Sequence, residues 1–259
     1  MSVTRSKLAE GFHRLGLRPG DAVVVHSSLR SLGHVEGGAE SVIDALLDVI
    51  EPQGLLVLPT FTYSSQVFDP ARTPSLTGRI TEMGRLWPGA VRSWHPTHSV
   101  AAIGAGASEL CAGHHRVGCF ALDSPLDRLA ARGGYVLLLG VGHVSNSTVH
   151  VGESHARAPY LGVPFSPDRP NQFTIIAPTG ELAVSMTEFP GCSKAFGVAE
   201  KVLRDRGQIR DAIVGEALTQ LVLGAAVIEA TVAILQANPA GVLCSDSYCY
   251  RCTQARRRL

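Results

Sequence analysis

The sequence lacks the short signatures that mark the commonest nucleotide and hydrolase chemistry. No G-x-x-x-x-G-K-[ST] occurs, which argues against a P-loop. Gly140-Val141-Gly142 follows an apolar run but lacks the third glycine of a dinucleotide fingerprint. G-x-S-x-G and H-E-x-x-H are also missing, so serine-hydrolase and metalloprotease readings lose support. An excess of charge of either sign is missing too. A formal net charge of +1 over 259 residues gives no basic excess for nucleic acid. It gives no acidic surface either, so a cationic ligand must be recognised by a local pocket. Residues 1–7 lack the apolar core of a secretory leader, and the expectation is a cytoplasmic protein. The longest apolar stretch, residues 212–237, is broken by Glu216, Gln220 and Glu229. A charge near a bilayer centre costs ~2.5–3.5 kcal/mol, so the stretch reads as a buried helix or helix pair and not as a membrane span. Reducing cytoplasm disfavours disulfides, which leaves the six cysteines as free thiols or metal ligands.

What is present is the patterning of a layered α/β protein. Leu8, Phe12 and Leu15 fall at i, i+4 and i+7 and put one apolar stripe on an opening helix that stops near Gly16. Residues 22–25 read as a buried strand, Val42, Leu46 and Val49 as a helix, and residues 55–58 as a second strand. Strand, crossover helix and strand in this span form a βαβ unit of a parallel sheet. Residues 60–94 are rich in Pro, Gly, Ser and Thr with little periodicity and read as a long loop, of a kind that is either functional or disordered. Strand-like runs resume at 99–103 and 135–139, and 173–177 with 181–185 flank Pro178-Thr179-Gly180 as a hairpin. The last third reads as mainly helical up to Pro239.

Three segments carry candidate chemistry. The first is His26-Ser27-Ser28-Leu29-Arg30-Ser31-Leu32-Gly33, directly after the first strand. Ligands of parallel sheets bind beyond the carboxyl ends of strands, and a loop of hydroxyls and glycine there can turn N–H groups toward an anion. An ordinary serine-rich turn has the same composition. The second is Arg92-Ser93-Trp94-His95-Pro96-Thr97-His98-Ser99-Val100, whose histidines read first as hydrogen-bonded structural groups at a loop-to-strand junction. The third runs from Val136 through Gly140-Val141-Gly142 to His150-Val151-Gly152-Glu153, an apolar strand entering a glycine turn and then a helix. His150 and Glu153, at i and i+3, are neighbours on one helical face. An imidazole is the natural general base at neutral pH, although a His–Glu contact on a solvated face is also common. His155 lies on a different face, which makes joint metal ligation with His150 improbable. Cys249-Tyr250-Arg251-Cys252 has the spacing of half a zinc site; Cys192 and Cys244 complete four ligands only if the fold brings them together. Plain reduced thiols remain the alternative.

In order along the chain these segments resemble the antibiotic N-acetyltransferase family, typified by aminoglycoside 3-N-acetyltransferases. The marks are His26-Ser27-Ser28-Leu29, Leu58-Pro59-Thr60-Phe61-Thr62, Arg92 through Ser99, Phe120 with Asp123-Ser124-Pro125-Leu126, and Leu138 through Glu153. The resemblance implies one α/β/α domain over 1–259, with a central mixed, largely parallel sheet unrelated to GNAT acetyltransferases. It implies acetyl-CoA as cosubstrate, with Ser27, Ser28, Leu29, Arg30, Ser31 and Gly33 at its pyrophosphate and Ser99 and Val100 along the pantetheine arm. His150 would deprotonate the attacking amine with help from Glu153, in direct transfer within a ternary complex. The acceptor would be the 3-amino group of a 2-deoxystreptamine aminoglycoside, acetylated to give antibiotic resistance. Tyr63, Asp69, Asp123 and Glu188 are the candidate acceptor contacts. A homodimer stays open as an assembly, which the sequence does not decide. The C-terminal Cys249-x-x-Cys252 and Cys192 in Gly191-Cys192-Ser193 resemble positions of some members, so a structural zinc clasp on residues 240–259 stays open.

One departure bears on the acceptor. Residues 63–68 contain neither Asp nor Glu, so charge recognition must come from Asp69, Asp123 and Glu188, or the acceptor is narrower. Two further readings stand beside drug acetylation: the same chemistry on a natural-product or metabolite amine, and a non-catalytic CoA- or sugar-binding protein.

Overall fold

The apolar stripe of the first helix decides which layer it joins. In the computed structural model, which describes residues 2–63, 66–162, 171–186 and 191–259, α1 (Arg5–Leu15) buries Leu8, Phe12 and Leu15. Thr4 accepts the Lys7 N–H at its start, and Gly16 ends it in the left-handed conformation at φ 99°. Then come β1 (Ala22–Ser27), α2 (Gly38–Ile50), β2 (Leu55–Pro59), β3 (Val67–Phe68), α3 (Arg79–Arg85), β4 (Val91–Arg92) and β5 (Val100–Gly104). They are followed by α4 (Ala107–Cys111), α5 (Pro125–Ala131), β6 (Tyr135–Leu139) and α6 (Thr148–His155). The remainder is β7 (Gln172–Ala177), β8 (Gly180–Ser185), α7 (Gly197–Asp205), β9 (Ile209–Val214), β10 (Ala217–Leu223), α8 (Gly224–Ala237) and α9 (Tyr250–Arg256).

The central sheet has seven strands in the order β4-β5-β2-β1-β6-β10-β9. β1 pairs in parallel with β2 and β6, as the βαβ reading requires. The other pairings are antiparallel, which reverses β5 and β10 and leaves five of the seven strands pointing one way. Side chains of the central strands alternate between two cores. Val24, Leu55, Val57, Val136 and Leu138 face one core, built with α5, α6 and α8. Val23, Val25, Leu56, Leu58, Leu137 and Leu139 face the other, where α1 and α2 pack. Burial on both faces explains the unbroken apolar runs of β2 and β6. Each such fully buried side chain contributes about 1.5–3 kcal/mol. The architecture is the expected α/β/α sandwich.

α6 is held against α8 by the absence of a side chain: a Cβ on Gly152 would lie 2.4 Å from Thr231 Cβ. That close approach fixes the helix carrying His150 and Glu153.

Three sequence expectations change. Residues 60–94 are not one loop, because they contain β3, α3 and β4. The last third is not mainly helical: β9 and β10 form a hairpin on the sheet edge, and only 224–237 of the apolar stretch is helix. Its strand portions are the end of β9 and β10, and β10, which pairs between β6 and β9, needs continuous apolarity for burial as much as a helix does. The 172–185 hairpin forms as expected but joins β3 in a separate three-stranded sheet. Among the described residues no helix is long and apolar enough to cross a membrane.

Candidate active site

The parallel strands end at a cleft. Val25 to Ser27 at the end of β1, Pro59 at the end of β2 with Phe61 beyond it, and Val144 to Ser147 before α6 line one cavity of about 680 Å³. Ligands of parallel sheets gather at this edge because loops there are free of sheet hydrogen bonding. His150 lies in the first turns of α6 and reaches the same cavity. Asn146 accepts the Thr148 N–H (3.0 Å) and so caps the start of that helix.

His150 Nδ1 lies 2.5 Å from Glu153 Oε2, which makes the pair a buried charge-assisted hydrogen bond and not a solvated surface contact. The other carboxylate oxygen accepts the Tyr160 hydroxyl at 2.8 Å. Burial and the Glu153 charge push the Tyr160 phenol up, so it stays a donor. With Nδ1–H committed to Glu153, Nε2 is left as the basic nitrogen of a ring that lines the cavity. Phe120 stacks on that ring at 5.2 Å, and Phe196 meets it edge-on at 4.6 Å. The carboxylate bond and two aromatic walls leave the imidazole little rotational freedom.

In the second histidine segment His95 is structural in its hydrogen bonding, while His98 lines the cavity with His150. His95 Nδ1 accepts the backbone N–H of His98 (3.0 Å) and Thr97 (3.3 Å). His114 pairs with Ser93 Oγ (2.9 Å) and donates from Nε2 to the Cys119 carbonyl (3.1 Å). Burial holds His95 and His98 well below the ordinary imidazole value and His114 at about 3, so these rings are neutral. His26, at the cavity, is likewise held at about 3 by burial and by His143. His95, His98 and Cys119 bring three ligand atoms within 4.8 Å of one another. His95 spends Nδ1 on backbone N–H groups, and neutrality then puts its proton on Nε2, which disfavours a metal there.

Of the residues expected at CoA, only Ser27 lines this cavity. Ser28 caps the short 3-10 helix Leu29–Leu32 and accepts the Ser31 hydroxyl at 2.8 Å, while Arg30 is exposed. Gly33, at φ 81°, lets Glu216 approach to 2.4 Å from a would-be Cβ. Ser99 and Val100 do not line the cavity, being buried to 0% and 1% exposure. Ser99 Oγ donates to Thr60 O (2.8 Å) and accepts from Arg92 Nε (3.1 Å), which fastens β5 to the loop after β2. Tyr63 lines the cavity. Asp69 and Asp123 do not: Asp69 accepts the Ala71 N–H of its own turn (2.8 Å), and Asp123 is paired with Arg128 (2.8 Å). Glu188 lies outside the described residues. Cys192, Cys249 and Cys252 come together with Cys244, all four Sγ atoms within 4.8 Å. Tyr160 and Phe196 escaped the sequence reading. Tyr160 lies past the end of α6, where no periodicity ties it to Glu153. Arg251 also lines the cavity and donates to Gly191 O at 3.0 Å; its place inside C-x-x-C was the only signal.

Fold and site together define a three-layer α/β protein of non-GNAT acetyltransferase type, with a His–Glu pair at the carboxyl edge of its sheet. Residues 24–236 match the family model described as aminoglycoside 3-N-acetyltransferase, and the chain belongs to that family. Aminoglycoside N(3)-acetyltransferase IV of Salmonella sp is 31% identical over 87% of this chain and 84% of its own length. Aminoglycoside N(3)-acetyltransferase IX of Micromonospora chalcea is 36% identical over 60% of this chain. That match spans 63% of the relative, just under two thirds of its length. The crystal structure of aminoglycoside acetyltransferase AAC(3)-IVa as apoenzyme superposes with a TM-score of 0.88 at 28% identity, covering 100% of this chain and 99% of that one. The structure of AAC-IIIb in binary complex with CoASH gives 0.79 at 27% identity, over 92% of this chain and 97% of that one.

Proposed function

We propose that this chain transfers the acetyl group of acetyl-CoA to the 3-amino group of a 2-deoxystreptamine aminoglycoside and so confers resistance to the drug. The observation that carries the reading is the buried His150–Glu153 pair on a cavity at the carboxyl ends of parallel strands. Aminoglycoside amines are largely protonated at neutral pH and have no lone pair until a base acts. In the proposed ternary complex His150 Nε2 takes that proton while Glu153 holds Nδ1–H and stabilises the imidazolium. The amine nitrogen bonds to the thioester carbonyl, the C–S bond breaks, and the proton on His150 passes to the departing thiolate. The second N–H proton of the acylated nitrogen then leaves to solvent, so that the products are a neutral amide, free CoA thiol and one released proton. A positioned base of this kind contributes ~10²–10⁴-fold in rate. CoA would enter past Ser27, with its pyrophosphate at the loop carrying Ser28, Leu29, Ser31 and Gly33, where the exposed Arg30 adds charge. Family relatives named as aminoglycoside acetyltransferases, one solved with CoASH and one with a gentamicin, support both halves of the reading.

One observation favours a second acceptor class. Among the described residues the cavity lining holds Arg251 and no carboxylate, and Asp69 and Asp123 are engaged elsewhere. A natural-product or metabolite amine with fewer positive charges fits such a lining better than a polycation. Purified protein with acetyl-CoA, an aminoglycoside panel and a panel of simple amines separates the two by release of free thiol. NMR of one acetylated product fixes acceptor and position. Thiol release with simple amines but with no drug overturns the first reading; release with neither overturns both and leaves a CoA- or sugar-binding protein.

A further inference from the structure

Cys192 and three cysteines of the C-terminal stretch meet beside the cleft. Cys192 precedes α7, Cys244 follows α8, and Cys249 and Cys252 bracket the first turn of α9. All four Sγ atoms lie within 4.8 Å of one another, and Cys192 and Cys244 are 3.8 Å apart. A disulfide requires about 2.05 Å, and all six cysteines of the chain are free thiols. A tetrahedral zinc with Zn–S bonds of about 2.3 Å sets its sulfurs about 3.8 Å apart. Spacing and donor type therefore fit a tetrathiolate centre, the donor set that selects zinc among common divalent ions.

The surroundings fit thiolates as well. The Lys194 backbone N–H donates to Cys192 Sγ (3.4 Å), and the Cys252 backbone hydrogen-bonds Cys249. N–H···S bonds of this kind orient thiolate ligands and spread their charge. Arg256 donates to the Cys244 carbonyl at 2.6 Å, and Arg251 lies between two of the cysteines, so two cations accompany a centre of net negative charge.

We infer that Cys192, Cys244, Cys249 and Cys252 bind one zinc ion, and that this ion clasps residues 240–259 against the cleft and so builds one of its walls. Gly191 and Ser193, either side of the first ligand, line the cavity, and so does Arg251 between the last two. Arg251 Nη1 bonds to Gly191 O at 3.0 Å and ties the two stretches across the metal. Phe196, four residues past Cys192, is the edge-on wall of His150. Loss of the ion therefore frees a cavity wall while the central sheet, which it does not touch, stays folded. The metal content is independent of the proposed acetyl transfer; the coupling to turnover rests on it.

The test uses the full chain purified under reducing conditions. Elemental analysis is expected to find one zinc per chain. Titration with an organomercurial, read by a chromogenic zinc indicator, should release it as the four thiols react. Cobalt exchanged into the site should show thiolate charge transfer and tetrahedral d–d bands. Cys249→Ala should abolish binding, and Cys192→His, which keeps a ligand, should retain it. Zinc removal should raise amide exchange in 191–196 and 243–256, leave β1 and β6 protected, and lower thiol release from acetyl-CoA about tenfold or more. Metal-free protein with four titratable thiols, or a disulfide found by mass spectrometry, overturns the site. Zinc loss with unchanged turnover and unchanged exchange overturns the clasp. A zinc-loaded protein that acetylates nothing refutes the transferase reading and leaves the metal site standing.

Discussion

Glu153→Gln tests the dyad most sharply, because Tyr160 determines which way the new amide must face. In the native site Tyr160 O–H donates to Oε1 (2.8 Å) and Oε2 receives His150 Nδ1–H (2.5 Å). A glutamine has one acceptor oxygen and one NH2. If its oxygen keeps Tyr160, its NH2 faces His150 Nδ1, which must then be unprotonated. The proton moves to Nε2, and the cavity-facing nitrogen is no longer a base. The opposite orientation leaves the buried Tyr160 hydroxyl proton without this acceptor, at about 1–3 kcal/mol. The wrong tautomer is thus favoured. Loss of the charge-assisted bond alone is worth about 1.5–3 kcal/mol, or roughly ten- to 150-fold at 1.36 kcal/mol per decade. Tautomer inversion at a base of this type reaches ~10⁴-fold. The expected fall in kcat for Glu153→Gln lies between those figures, with KM nearly unchanged. Tyr160→Phe combined with Glu153→Gln removes the orienting donor and should recover about tenfold over Glu153→Gln alone. Thiol release at saturating acetyl-CoA and acceptor gives kcat, and thermal melting checks that each variant is folded. A Glu153→Gln protein within about threefold of wild type, or a double variant no faster than the single, refutes the reasoning.

Three other perturbations have defined outcomes. Gly152→Ala places a Cβ 2.4 Å from Thr231 Cβ, so α6 must move off α8. A destabilisation of about 1–3 kcal/mol in urea unfolding is expected, together with a fall in kcat, and an unchanged melting curve contradicts it. Phe120→Ala removes the ring stacked on His150 and should lower kcat and stability together; a loss in KM alone would point instead to an acceptor-binding role. Acid stability follows from the neutral histidines. Burial holds His26 and His114 at about 3 and sets His95 and His98 well below 6.5. The unfolded chain protonates these rings near 6.5, so from there down toward about 3 the unfolded state binds more protons and stability falls as pH falls. Each ring contributes about 1.4 kcal/mol per pH unit within its window. Urea midpoints should drop steeply below about pH 6, and less steeply in His114→Gln; a flat profile to about pH 5 overturns the neutral assignment.

Local spacing carried the parts of this protein that backbone geometry fixes. Leu8, Phe12 and Leu15 share a face on any α-helix, and the runs 22–25 and 55–58 around a helical pattern admit little but a βαβ unit. His150 and Glu153 are neighbours because three residues make nearly one turn, and no tertiary contact is needed to bring them together. Where proximity depends on packing, local reading ran out. The apolar stretch 212–237 gives β10 and α8 alike, since burial demands the same residues of both, and only pairing with β6 and β9 makes the first part a strand. Ser99 and Val100 were expected along a ligand, but Arg92 and Thr60 draw Ser99 into the interior. Tyr160 reaches Glu153 from beyond the helix end, and Phe196 reaches His150 from the start of another helix. Cys192 and Cys244 are 52 residues apart and adjacent in space. The layers, the strand edge and the His–Glu pair follow from side-chain period along single elements and are legible residue by residue. What surrounds the pair and what lines the cleft arise from contacts between elements, which depend on how their buried faces close on one another.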